Sequence, residues 1–390
     1  MPFPIPDNLI TRRRFLQAAG VCAGCSLVGL DSSLSIPGLI APALADEPKT
    51  ANNLDLREAQ FYKKLDGLEI ECELCPRKCN VGDRERGFCG VRENRKGIYN
   101  TLVYGNPCTA NVDPIEKKPF FHYLPGTMAF SIATAGCNLN CKFCQNWQIS
   151  QARPEQIKNM KFSPEEIASM AVSYACPSIA YTYSEPTVYY EYMKDCAIEG
   201  NKKNIRSVMI SAGYIQPEPM EKLIPHLAAV KIDLKAFTQK YYTDICNGEL
   251  KPVLDTLVLL KTSKIWFEIV YLMLPTLNDD PKDIESLCNW IMTELGPDVP
   301  VHFTRFHPEY LLKNLPSTPI ESLELAYEIA QKSGMNFPYI GNVYGHRGEN
   351  TFCPQCKTEV ISRQGFQVEK VALENGHCVK CGREIPGVWN

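Results

Sequence analysis

The stretch "TAGCNLNCKFCQNW" (residues 134–147) places Cys137, Cys141 and Cys144 within eight positions. Thiolates at C-x3-C-x2-C spacing can surround one small metal object, and sulfur ligands favour zinc or iron–sulfur clusters. Closed metal sites are ordinarily built from four protein ligands. No fourth cysteine is close in sequence. A four-iron cubane held here would keep one iron without a protein ligand, open to a substrate.

Two other clusters are closed by their own residues. Cys72, Cys75, Cys79 and Cys89 form C-x2-C-x3-C-x9-C, with Gly87 and Gly90 bracketing the last cysteine so that backbone can fold tightly round a metal. Four thiolates read first as zinc or mononuclear iron, with an auxiliary iron–sulfur cluster as the alternative. Cys353, Cys356, Cys378 and Cys381 form C-x2-C-x21-C-x2-C, a zinc-ribbon or rubredoxin-like pattern that would fold the tail around zinc or iron. In a large mixed chain such spacing means metal rather than a disulfide framework. Of the 18 cysteines, the remaining Cys22, Cys25, Cys108, Cys176, Cys196, Cys246 and Cys288 are scattered and read as small buried hydrophobes.

The elements that must position these groups are legible as alternating apolar runs and helical patterns. Strands are expected in 128–134, 178–184, 205–211, 228–234, 265–274, 299–306 and 337–343. Helices are expected in 163–175, which opens with Ser, Pro and early acids, in 280–295, which repeats that logic, and in 319–334, which ends on Gly. Alternating βα units imply a parallel sheet. The expected fold class is α/β: a partial (β/α)6-type barrel with small cysteine-rich modules at either end. Chemistry in such barrels sits at the C-terminal strand ends. There the three-cysteine loop, Ser184 and Glu185, Ser211, Asp233 and Lys235, Arg305 and His307, and Asn342 are all expected. The charged, aromatic segment 113–125 is either a clamp or a substrate lip, with Lys117, Lys118 and His122 as candidates. His307 is a further candidate for substrate contact.

With these residues placed, the chain resembles the radical S-adenosylmethionine (SAM) superfamily. "CNLNCKFC" matches its cysteine signature, with Phe143 at the aromatic position before the last cysteine. The resemblance implies a 4Fe-4S cluster on Cys137, Cys141 and Cys144, with SAM chelating the open iron. It also implies reductive cleavage of SAM to a 5′-deoxyadenosyl radical that abstracts hydrogen. The remaining motifs are similar to pyruvate formate-lyase activating enzymes. By that similarity Glu185 of "YSEP" would hold the methionine amino group, Ser211 of "SAGY" would lie on the ribose side, and Asp233 and Lys235 of "DLK" would contact SAM. Tyr183 and Ser184 stand where that branch has two glycines. From residue 65 to the end, "CELCPRKCNVGDRERGFCGVRENRKG", "DPIEKKPFFHYLPGT", "HFTRFHP" and "YIGNV" look like AmmeMemoRadiSam radical SAM enzymes. That resemblance implies SAM and a reductant as partners, and a link to Memo-like and AmmeCR-like proteins. Two other functions are compatible with the motifs: a glycyl-radical-enzyme activating enzyme, and a non-enzymatic multi-metal electron carrier.

The domain reading is an export signal over 1–45, a linker leading into a short helix over 46–66, a cysteine-rich module over 67–125, the barrel over 126–346 and the tail module over 347–390. The signal has Arg12–Arg14 before an apolar run and A-x-A spacing at Ala43 and Ala45, and looks twin-arginine-like. Its apolar run is short for a stable membrane span. With 390 residues, 45% apolar, 22% charged and a net charge of −3, the chain has no basic stripe and no indicated nucleic-acid partner.

Overall fold

The computed structural model describes residues 56–390, so the segment read as an export signal lies outside the described residues. At its centre is one eight-stranded sheet. Its strands are β1 (Thr109–Pro114), β2 (Met128–Ala133), β3 (Ser178–Tyr181), β4 (Arg206–Ser211), β5 (Ala229–Asp233), β6 (Trp266–Met273), β7 (Val301–Arg305) and β8 (Pro338–Gly341). Strands β2 to β8 run parallel in sequence order, and β1 pairs antiparallel with β2 at one edge. The seven apolar stretches expected as strands form β2 to β8. The parallel set therefore has seven strands, not six, and the antiparallel β1 comes from the segment before them. The parallel strands are buried on both faces, which is why they read as continuous apolar runs.

Helices α1 (Pro164–Ser173), α2 (Tyr190–Lys202), α3 (Lys251–Ser263), α4 (Pro281–Glu294) and α5 (Ile320–Lys332) make the longer crossovers. Ser163 caps α1: its hydroxyl accepts from the Glu166 amide, and the Glu166 carboxylate accepts from the Ser163 amide. The Asp280 carboxylate accepts from the Lys282 amide at the start of α4. Among the described residues, no helix is long and apolar enough to cross a membrane.

Among the described residues, none before residue 67 is helical. Arg57–Glu58 and Tyr62–Lys64 are short strands that pair with Ile98–Thr101 and Ile70–Cys72. The reason is local: Asp66 and Gly67 turn the chain back as a hairpin, with Gly67 at φ 68°. The tail is likewise more regular than the polar turns expected. Thr351–Phe352, Glu359–Gln364 and Gln367–Val371 form a small antiparallel sheet.

That tail closes the N-terminal ends of β6, β7 and β8. Phe121, Phe337, Tyr339, Cys353, Val360, Ile361, Cys378 and Ile385 form one apolar cluster there. At its centre Glu268 accepts from the backbone amides of Phe121 and His122, from the Trp266 indole and from His302 Nε2 at 2.8 Å. Burial by itself would raise the Glu268 carboxyl, but His302 and these donors outweigh it and hold it below the ordinary range. Arg363 Nη2 donates to the Phe121 carbonyl at 2.7 Å. His122 is fully buried in this network, 2.6 Å from both the Pro386 carbonyl and the Tyr339 hydroxyl. Burial pushes it down to about 4, so it is neutral. His122, read as a substrate candidate, is therefore a structural residue at the end of the sheet away from the cysteine loop. Glu268→Ala should leave several buried donors unpaired and cost on the order of 3 kcal/mol, read as a lower urea midpoint at unchanged slope.

Candidate active site at the three-cysteine loop

The loop that follows β2 has no regular structure of its own and is braced by its neighbours. Gly136 has φ +95°, and a side chain there would meet Val91 at 2.6 Å and the Cys89 carbonyl at 2.8 Å. The amides of Asn140 and Lys142 donate to the carbonyls of Cys246 and Ile245 at 2.9 and 3.0 Å. The Leu139 amide points at Cys137 Sγ from 3.4 Å, and Ser150 Oγ lies 3.2 Å from Cys144 Sγ.

A single ion with sulfur bonds of ~2.3 Å holds its thiolates about 3.8 Å apart. Among the described residues no three of these sulfurs fall within 4.8 Å of one another. The loop thiols therefore do not close to the span of one ion as the tail thiols do. Cys246, expected from the sequence to be a small buried hydrophobe, lies beside Cys141. It is fully buried and does not line the cavity, so the open side of the triad stays open.

That cavity, of about 480 Å³, is lined by the three cysteines together with Ser184, Glu185, Lys231, Asp233, Lys235, Thr304 and Asn342. Because these residues leave successive strands yet face one space, the sheet curls around it. Glu185 is 3% exposed. Its Oε1 accepts from the Thr187 amide and hydroxyl and from Ser211 Oγ at 2.6 Å, and its Oε2 accepts from the Ala212 amide at 2.9 Å. A carboxylate has about four acceptor directions, two per oxygen, so Oε2 retains one. Ser184 Oγ is buried with no partner among the described residues, and it borders the cavity. The residue before it, Tyr183, sits at φ 65°, the left-handed region glycine favours.

Asp233 lies between Lys231 and Lys235, with Lys235 Nζ at 3.1 Å. Burial alone would raise its carboxyl, but the two ammonium groups hold it at about 2. Lys235 is pushed up despite burial by Asp233 and by the neighbouring Cys141. Ser211 serves Glu185 rather than facing the cavity itself.

A second polar group, not read from the sequence as a unit, completes the wall. Asp113 of β1 pairs with Lys117 and Lys118 and accepts a hydrogen bond from the Tyr183 hydroxyl. Lys118 is 2% exposed, and burial pushes it down to about 8 against the pull of Asp113. Both lysines line the cavity. Arg305 does not: its Nε donates to the Thr318 carbonyl. His307 is exposed and 3.3 Å from Ser317 Oγ, outside the cavity.

The tail cysteines contrast with the loop. Cys353 and Cys381 sulfurs are 3.5 Å apart, and those of Cys356 and Cys378 are 3.7 Å apart. All four lie within 4.8 Å of one another. This is the spacing of a single tetrahedral ion. A Cys356→Ser, Cys381→Ser variant should lose one metal per chain by elemental analysis while keeping the visible absorbance of any iron–sulfur cluster.

A family model described as the Radical SAM superfamily matches residues 131–291. The chain is 45% identical over 332 residues to the uncharacterized protein MJ0808 of Methanocaldococcus jannaschii, covering 85% of this chain and 99% of that one. It is 24% identical over 249 residues to the (2S)-3-sulfopropanediol dehydratase activating enzyme of Klebsiella oxytoca, covering 61% and 76%. A domain of a pyruvate-formate lyase-activating enzyme from Bacteroides vulgatus superposes with a TM-score of 0.38 at 14% identity, covering 42% and 98%.

Proposed function

Since the chain belongs to the radical SAM superfamily, whose members are enzymes of SAM-dependent radical chemistry, we propose that its cavity binds SAM against a 4Fe-4S cluster on Cys137, Cys141 and Cys144. The reaction would be abstraction of a hydrogen atom from a substrate bound on the Lys117 and Lys118 side. The observation that carries this is that three thiols and a nearly saturated carboxylate, Glu185, line one cavity.

When bound, the cluster supplies the single electron that cleaves the SAM sulfonium. The chain's own residues do the rest. Glu185 Oε2 and the unpartnered Ser184 hydroxyl supply acceptors suited to an ammonium group. Lys235 places a positive charge beside Cys141 that works against the burial raising that thiol. Asp233 holds both of its lysines in place, which leaves that wall cationic toward a carboxylate. The curled parallel sheet is read as a partial barrel that shields this chemistry from water.

The similarity to an activating enzyme favours a second reading, in which the hydrogen comes from a glycine of a partner protein. A glycyl radical on that partner, seen by electron paramagnetic resonance, would decide for it. The AmmeMemoRadiSam resemblance makes Memo-like and AmmeCR-like proteins the partners to test first. Function in an exported form is the corresponding reading of residues 1–45.

Anaerobically reconstituted protein given SAM and dithionite should release 5′-deoxyadenosine, and Cys141→Ala should abolish it. No 5′-deoxyadenosine above that control sinks the proposal. Glu185→Gln should weaken SAM binding about 10- to 100-fold by titration calorimetry, as expected for losing a charge-assisted hydrogen bond.

A further inference from the structure

Cys72, Cys75, Cys79 and Cys89 converge on one buried pocket that Arg92, Tyr99 and Asn138 also line. Their sulfurs do not have the spacing of a single ion. Among the described residues, no three of them lie within 4.8 Å of one another, whereas the tail cysteines of the same chain close to 3.5 and 3.7 Å. A mononuclear site needs about 3.8 Å.

The pocket also holds a buried cation. Arg92 is 1% exposed. Its Nη2 pairs with Glu191 at 2.5 Å and its Nε donates to the Val188 carbonyl at 3.2 Å. Its Nη1 has no partner among the described residues. An orphaned, charged donor at the wall of a four-thiol pocket is costly unless an anion fills that pocket. A cluster bound by four thiolates is such an anion, and its sulfurs accept hydrogen bonds.

The pocket lies directly behind the three-cysteine loop. Cys89 and Val91 press on Gly136, and Cys89 and Cys137 border one cleft. Asn138, the residue after Cys137, lines the pocket and accepts from Arg77 through its carbonyl at 2.5 Å.

We propose that Cys72, Cys75, Cys79 and Cys89 hold an iron–sulfur cluster, with Arg92 Nη1 as its hydrogen-bond donor, and that this cluster exchanges single electrons with the three-cysteine site. The electron comes from a low-potential one-electron donor in solution. It moves with no bond made or broken and no proton transferred: the donor is oxidised by one electron and the three-cysteine site is reduced by one. The proposal takes the auxiliary-cluster alternative for this motif in place of zinc or mononuclear iron. The relay half of the proposal rests on a cluster at the three-cysteine site; the cluster half does not.

The test uses the full chain, reconstituted anaerobically with iron and sulfide. Wild type should carry about eight acid-labile sulfides per chain, as two cubanes require. The Cys137→Ala, Cys141→Ala, Cys144→Ala variant should keep about half of them and give a dithionite-reduced paramagnetic signal at low temperature. In wild type the two reduced signals should broaden each other through magnetic coupling, and the variant should lose that broadening. Arg92→Lys should lower the midpoint potential of the retained signal, which a purely structural Arg92 would leave in place. A variant with one extra zinc and no labile sulfide overturns the proposal, while 5′-deoxyadenosine release by wild type would leave the SAM reading standing. Should the variant fail to fold, a wild-type count of about four sulfides overturns the proposal by itself. Two uncoupled clusters in wild type overturn the relay.

Discussion

Three thiols must be held apart, and facing one way, by a loop with no hydrogen-bond ladder of its own. That constraint organises the surrounding structure. Gly136 lets the chain leave β2 in a conformation closed to other residues, and it does so against Val91 and Cys89 of the preceding module. The 242–246 segment receives the amides of Asn140 and Lys142 from the other side. The loop is therefore as rigid as the two elements that clamp it. This is why the N-terminal cysteines belong to the surroundings of the site although none of the four lines the cavity.

The two ends of the parallel sheet treat buried charge in opposite ways. At the N-terminal end Glu268 is ionised and surrounded by donors, His122 is neutral, and the tail seals the network. This is polar satisfaction in the service of structure. At the C-terminal end the charges are paired but not sealed. Asp233 holds two lysines, Asp113 holds two more, Glu185 keeps one acceptor direction, and Ser184 keeps its whole hydroxyl. Unspent hydrogen-bonding capacity at a buried wall is what a ligand can use, and here it is concentrated on the side that carries the three sulfurs.

Much of this was legible in the chain. Seven β-rich runs separated by capped helical patterns became seven parallel strands, because both-face burial and capping are local demands that leave local signatures. The three-cysteine loop, Glu185, Asp233 and Lys235 were found from their motifs, and the sheet brings them to one cavity. Less was legible where partners are distant in sequence. Cys246 meets Cys141 across about a hundred residues, Asp113 meets Tyr183 across seventy, and Arg92 meets Glu191 across ninety-nine. The Asp66–Gly67 hairpin was a local signal that went unread.

The sequence alone determined how many thiols each site has, because ligand number is a property of composition and spacing. It therefore determined that one site is left open and two are closed. It did not determine how far apart the thiols stand. The tail cysteines, on paired hairpin turns, close to the span of one ion, whereas among the described residues no three sulfurs of either other set come within 4.8 Å of one another. That separation is set by backbone packing between distant segments. The donors that face each site, Arg92 in one and Ser184 in the other, were decided by the same packing.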